Sequence, residues 1–101
     1  DAPFFYASTK APRSYAQAEY PRDVFLVFGR ESRGLPENLL ERVYDRCIRI
    51  PMIEGARSLN LSNSVAIVTY EALRQHGFEH LLDHGALTGR DEEPGAWMDY
   101  L

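Results

Sequence analysis

A single cysteine, Cys47, excludes an internal disulfide, and its apolar neighbour Ile48 points to a buried, inert thiol. No uncharged apolar run approaches the length that spans a bilayer, and no signal-peptide pattern opens the chain. A reducing cytoplasm is the expected compartment. Internal repeats and low-complexity tracts are also missing. No Ser/His/Asp or Cys/His arrangement stands out, which leaves hydrolysis through a covalent intermediate without support. An initial methionine is lacking too: the chain starts at Asp1 and runs almost directly into an apolar segment, as a piece of something longer would. What is present is ordinary for a globular protein. Of 101 residues 45% are hydrophobic and 26% charged, and one domain is the expectation.

The net charge of −4 is unevenly spread. Residues 1–57 hold nine basic and eight acidic side chains, whereas residues 58–101 hold two and seven. An acidic total argues against indiscriminate nucleic-acid binding but leaves room for a local patch, and Arg30, Arg33, Arg49 and Arg57 all lie in or beside the glycine- and proline-marked segments that follow the apolar runs. His76, His80 and His84 recur every four residues, yet Gly77 interrupts the helix that would align them, and no metal is expected.

Three short β-prone runs punctuate the first half. Phe4-Phe5-Tyr6-Ala7 is stopped by Ser8-Thr9-Lys10 and Pro12, and residues 13–20 have the composition of a brief helix before Pro21. Val24-Phe25-Leu26-Val27-Phe28 is continuous rather than alternating, as in a parallel strand buried on both faces. Cys47-Ile48-Arg49-Ile50 is a third strand, ended by Pro51. Pro36 suits the first turn of a helix with Leu39, Leu40 and Val43 on one face. Ser58 or Asn60 can cap a second helix that runs to about Gln75 and stops at Gly77.

That second helix is apolar nearly all round. Leu61, Val65, Val68 and Ala72 share one face, while Ala66, Ile67, Tyr70 and Leu73 line much of the other. A chain this short has little with which to bury both, so a partner subunit or further chain is expected to cover it. A parallel sheet also needs helices on both faces, and few are on offer; an N-terminal part of the domain is expected to be missing. From His76 onward the sequence turns polar and acidic, with residues 86–96 reading as a linker or disordered tail and Trp97, Met98, Tyr100 and Leu101 as residues that could dock back.

Function is signalled where the strands end. In open α/β sheets, ligands bind beyond the carboxyl ends of the strands. Phe28-Gly29-Arg30-Glu31-Ser32-Arg33-Gly34-Leu35-Pro36 and Ile50-Pro51-Met52 both sit at such ends. Gly29 to Gly34 has phosphate-loop spacing, but Leu35 and Pro36 stand where Lys and Ser or Thr are required, which excludes a Walker loop. Ser58, Asn60, Ser62, Asn63 and Ser64 crowd five small polar residues into one helix start, more than a cap needs.

Taken together, three blocks resemble the SPOUT methyltransferases, and more narrowly the TrmL (YibK-like) tRNA 2′-O-methyltransferase family. They are Ala7-Ser8-Thr9-Lys10, the segment from Phe28 to Pro36, and Ile48-Arg49-Ile50-Pro51-Met52 through Ser58-Leu59-Asn60-Leu61-Ser62-Asn63 to Tyr70-Glu71. The resemblance covers about residues 4–78. It implies an α/β fold with a SPOUT-type parallel sheet and a deep C-terminal trefoil knot, the segment around 50–58 threading a loop made by the preceding strands. It places the domain at residues 1–78 and an acidic tail at 79–101. It implies S-adenosyl-L-methionine as cofactor, contacted by Ala7, Gly29, Ile50 and Ser58 with Phe28, Met52 and Leu59 nearby.

By the same resemblance the substrate is the ribose 2′-OH of the wobble nucleotide (position 34) of tRNA. Arg30, Arg33 and Arg57 are then the candidate RNA-binding residues. A homodimer through helix 58–76 is implied as well. The family's N-terminal Asn and Arg motif, whose arginine helps activate the hydroxyl, has no counterpart here; Asn60 and Ser62 are the remaining candidates for catalytic support. The alternatives are ribose methylation of rRNA and a non-catalytic knotted module that dimerises or binds RNA.

Overall fold

The structure is a computed structural model that describes residues 3–30, 33–55, 60–89, 95 and 98. Three strands form one parallel sheet: β1 (Phe4–Ala7), β2 (Phe25–Phe28) and β3 (Cys47–Ile48), in the order β2-β1-β3. Phe4 pairs with Phe25 and Ala7 with Phe28, while Tyr6 and Ala7 pair with Cys47 and Ile48. All three strands therefore end level, at Ala7, Phe28 and Ile48. Among the described residues two α-helices accompany the sheet, α1 (Glu37–Arg42) and α2 (Leu61–Gln75), with a 3-10 turn at Tyr44–Arg46 between them.

Side chains alternate across the strands, so each strand feeds both faces of the sheet. On one face, Phe5, Leu26, Phe28 and Ile48 pack with Val68 and Ala72 of α2. On the other, Tyr6 and Cys47 meet Leu40 and Val43, just as the α1 stripe requires. Cys47 has no exposed surface; its Sγ donates to the Val43 carbonyl at 3.4 Å, and burial raises the thiol pKa.

Two expectations are corrected. The run at Val24–Phe28 is not buried on both faces throughout: its strand starts at Phe25, which is 56% exposed, and β2 lies at the edge of the described sheet. The Phe25 ring stacks on Phe4 at 4.9 Å, outside the cluster that Leu40 and Val43 form with Tyr6 and Cys47. Residues 13–20 are not a helix but an irregular strap, with a bridge at Ser14 and a turn at residues 15–17. The Tyr15 N–H donates to the Arg49 carbonyl at 2.7 Å and the Arg49 N–H to the Arg13 carbonyl at 3.0 Å, continuing the sheet past β3. Burial of Ala18 and Tyr20 against α2 outweighs weak local helix preference.

Helix α2 has both of its expected ends. Asn60 caps it, Oδ1 accepting from the N–H groups of Ser62 (2.8 Å) and Asn63 (3.4 Å). Gly77, at φ 72°, turns the chain, with the Gly77 N–H on the Arg74 carbonyl and the Phe78 N–H on the Leu73 carbonyl. Gln75 fastens the strap to this end: it accepts from the Tyr20 N–H at 2.9 Å and donates to the Ala18 carbonyl at 2.8 Å. The His76 Nε2 lies 2.6 Å from the Tyr20 carbonyl and so carries its proton there. Residues 79–89 are exposed throughout.

Glu71 completes this cluster, accepting two bonds from Arg74 (2.8 and 2.9 Å) and one from Gln75 (2.9 Å). Those bonds, Arg74's foremost, lower its pKa below the ordinary 4.5. A lowered native pKa means that the stabilisation is complete above the unfolded value and is lost as pH falls through the native one. The thermal midpoint should therefore decline on acidification below about 4.5, and Glu71→Gln should make that decline shallower. An identical acid slope in the variant would contradict the assignment.

Candidate cofactor and RNA site

The level strand ends open onto one cavity of about 260 Å³. Ala7, Phe28 and Ile48 form its floor. The turns that continue the strands wall it, with Ser8, Thr9 and Lys10 after β1, Gly29, Arg30, Arg33, Gly34 and Leu35 after β2, and Arg49, Ile50 and Met52 after β3. Leu61, Ser64 and Val68 close the remaining side from the start of α2.

Each wall is anchored. Ser8 N–H donates to the Ile48 carbonyl at 2.9 Å, and Ser8 Oγ accepts from the Lys10 N–H at 3.1 Å. Arg49 Nη1 donates to the Thr9 carbonyl at 3.0 Å, and the Tyr44 hydroxyl donates to the Lys10 carbonyl at 2.9 Å. Lys10 is ion-paired with Glu37, whose carboxyl is thereby held below its ordinary pKa.

The second wall is a tight return. Gly34 N–H donates to the Arg30 carbonyl at 2.8 Å, and Gly34 sits at φ 69°, where glycine is favoured. A Cβ on Gly29 would lie 2.2 Å from the Gly34 carbonyl carbon and 2.5 Å from the Leu35 nitrogen. The absence of a side chain at Gly29 is thus required by its own loop folding back on it. Gly29 itself lines the cavity.

Of the candidate cofactor residues, Ala7, Phe28, Gly29, Ile50 and Met52 come together on this one cavity. Ser58 and Leu59 lie outside the described residues, as do Glu31, Arg57 and Trp97. Arg30 and Arg33 line the cavity mouth and are exposed. Asn60 and Ser62 are exposed and not in the lining; the Asn60 amide oxygen is committed to the helix cap. Among the described residues of the polar cluster at that helix start, Ser64 lines the cavity. Sequence reasoning placed Ser64 in that cluster without singling it out, and it named Ser8-Thr9-Lys10 in a family block without assigning those three residues to the site.

The lining has a definite chemistry. Phe28, Ile48, Ile50, Leu61 and Val68 offer apolar surface, Ala7 and Gly29 add little side-chain bulk, and Lys10, Arg30, Arg33 and Arg49 bring positive charge. An adenosine face against the apolar wall and a carboxylate or phosphate against the cations fit these residues.

Comparison with known proteins sharpens this. The model of the SpoU rRNA Methylase family matches residues 2–70. The tRNA (cytidine(34)-2′-O)-methyltransferase of Burkholderia ambifaria is 49% identical over 77 residues, 75% of this chain and 49% of that protein. A solved structure reported as structural insights into the 2-OH methylation of C/U34 on tRNA has a TM-score of 0.69 at 40% identity, covering 76% of this chain and 49% of that one. The SpoU methyltransferase AviRb from Streptomyces viridochromogenes, in complex with the cofactor AdoMet, has a TM-score of 0.66 at 26% identity, covering 77% of this chain and 30% of that one. The chain spans about half the length of the curated relatives it matches, 52% and 49% in two of them.

Proposed function

Since the chain belongs to the SpoU rRNA methylase family, we propose that the protein methylates the ribose 2′-OH of the wobble nucleotide of tRNA, with S-adenosylmethionine as donor. The observation that carries this reading is the single cavity at three level strand ends, in which five of the family-motif positions meet. The tRNA substrate, rather than rRNA, is supported by relatives named for cytidine 34 at 43–49% identity.

The cofactor supplies a methyl group on a positively charged sulfur. Ala7 and Gly29 let the adenosine approach main chain, and Phe28, Ile50 and Met52 flank it, with Ser58 and Leu59 assigned to the same site. Arg30, Arg33 and Arg57 hold RNA phosphates, which positions the ribose and fixes its register without reading sequence. Ser62, exposed at the first turn of α2, is open to support the reacting ribose, whereas Asn60 contributes by capping. The segment around 50–58 threads a trefoil knot in this reading, and residues 1–78 form the methyltransferase domain with 79–101 as an appended acidic tail. No helix among the described residues is long and apolar enough to cross a membrane; a cytoplasmic enzyme acting on tRNA accords with that.

A homodimer accounts for the outer face of α2. Val65 is 38% and Tyr70 59% exposed there, beside exposed Ala66. A second copy packed on this face removes them from water. Val65→Asp should therefore halve the mass measured by light scattering, since a buried carboxylate without a partner is strongly unfavourable. An unchanged mass would refute the interface.

The test of function is ribose-methylation mapping of tRNA and rRNA from cells with and without the gene. Loss of the 2′-O-methyl at nucleotide 34 of one or more tRNAs is expected. Loss confined to rRNA would favour the rRNA reading, and no loss at all would favour a non-catalytic module.

A further inference from the structure

The chain leaves the end of α2 through a turn that is held in place. Phe78 at φ 55° and His80 at φ 66° take left-handed backbone, which non-glycine residues adopt only at a cost. Contacts offset that cost: the Phe78 ring lies 6.5 Å from the Tyr70 ring, and Glu79 is ion-paired with Arg22. The Leu81 N–H closes the turn on the Phe78 carbonyl at 3.1 Å. Residues 82–89 then form neither helix nor strand and are exposed throughout. Leu81 is 43%, Leu82 96% and Leu87 101% exposed. The family match ends before this segment, at residue 70.

Three leucines within seven residues are more apolar side chain than a solvated tail requires. In the single chain neither apolar cluster takes them in. Charge disfavours a polyanionic partner, because residues 79–101 carry six acidic side chains and one arginine. RNA phosphates and anionic lipid headgroups repel such a segment.

The root of the segment adjoins the outer face of α2, where Phe78 meets Tyr70. The homodimer read for that face needs more apolar surface than the face offers. A stable dimer buries about 800 Å² per partner, about 500 Å² of it apolar. Tyr70, 59% exposed, contributes at most about 150 Å², and Val65 and Ala66 are smaller. Resting on the homodimer reading, we propose that residues 81–87 are an arm that crosses to a second copy of this chain and buries Leu81, Leu82 and Leu87 against it. The arm supplies the apolar area that α2 lacks. Its reach is sufficient. The 15 residues of α2 make a helix about 22 Å long, and residues 82–89 can span about 26 Å. The partner's body therefore lies within reach at any crossing angle of the two helices. A two-fold interface repeats each contact, so both arms engage together.

The experiment is sedimentation equilibrium of the chain over a dilution series, unsubstituted and as Leu82→Ser and Leu87→Ser. Both side chains are fully exposed in the single chain, so circular dichroism should be unchanged. Burying an exposed leucine changes an equilibrium about tenfold or more, and symmetry counts it twice, so each variant should raise the dimer dissociation constant about a hundredfold. A photoreactive phenylalanine in place of Leu87, in a mixture of light and isotope-labelled heavy chains, should give cross-links that join light to heavy peptides. An unchanged dimer constant in both variants overturns the arm and leaves the homodimer standing. Cross-links confined to single chains show the arm folded back on its own body, and also overturn it. If the unsubstituted chain is monomeric at every concentration, the homodimer reading fails and this inference with it. Methylation at nucleotide 34 is a separate readout that none of these outcomes decides.

Discussion

Gly29→Val is expected to weaken binding of an adenosyl ligand by about a hundredfold, the order of loss that an ångström-scale displacement in a site produces, while the chain stays folded. The added Cβ would stand 2.2 Å from the Gly34 carbonyl carbon and 2.6 Å from its Cα. These are backbone atoms and cannot swing aside as a side-chain tip would. The return from Arg30 to Gly34 must open, which breaks the 2.8 Å bond between them and displaces the Gly29–Leu35 wall. Circular dichroism should show a native spectrum, since Gly29 packs in neither apolar cluster. Gly34→Ala makes the contrast. Its Cβ meets nothing within 4 Å, and the cost is only the left-handed backbone, about 1–2 kcal/mol. A folded Gly29→Val variant with native affinity would remove this loop from the site.

The second large effect is on stability. Ile48 is 1% exposed and is both the last residue of β3 and part of the cavity floor. Ile48→Ala should destabilise the chain by about 2–5 kcal/mol, through lost transfer energy and a void that strands fixed by Ala7 cannot close. Domains of this size hold only about 5–15 kcal/mol in total, so the urea midpoint should fall sharply. Ile48→Val, which removes one methylene, should cost about 0.5–1.5 kcal/mol and remains measurable if the alanine variant does not fold. A loss below about 1 kcal/mol in Ile48→Ala would mean that this site relaxes far more than a packed core does.

These predictions also mark what the sequence made legible. Local chemistry carried well: Phe4–Ala7 forms its strand, Pro36 stands at the start of α1, Asn60 caps α2 and Gly77 ends it. Each rests on backbone preferences of one or two residues, which a sequence displays directly. The position of the site was legible for a related reason, because parallel strand ends gather turns whatever their order.

Packing over long separations was not. That Phe25 stands exposed follows from the order β2-β1-β3, which puts β2 at the edge of the described sheet, and strand order is a fact of three dimensions. The strap at 13–20 was misread because Tyr20 is fixed by Gln75, 55 positions away. Ser64 rather than Asn60 or Ser62 lines the cavity because helix phase, once Asn60 is the cap, leaves the other two outward. A resemblance supplied the cofactor; the charge of the cavity came from geometry, since Lys10, Arg30, Arg33 and Arg49 come from three different turns.

The central claim is that the three strand ends form an adenosyl-ligand site. The most direct test is the amide nuclear magnetic resonance spectrum of the labelled chain, recorded as S-adenosylhomocysteine is added. The account predicts saturable shifts concentrated at Ala7, Ser8, Gly29, Gly34, Ile50 and Ser64, with Gln75 and the residues beyond Gly77 unmoved. Shifts centred on the far end of α2, or none at saturating ligand, would contradict it.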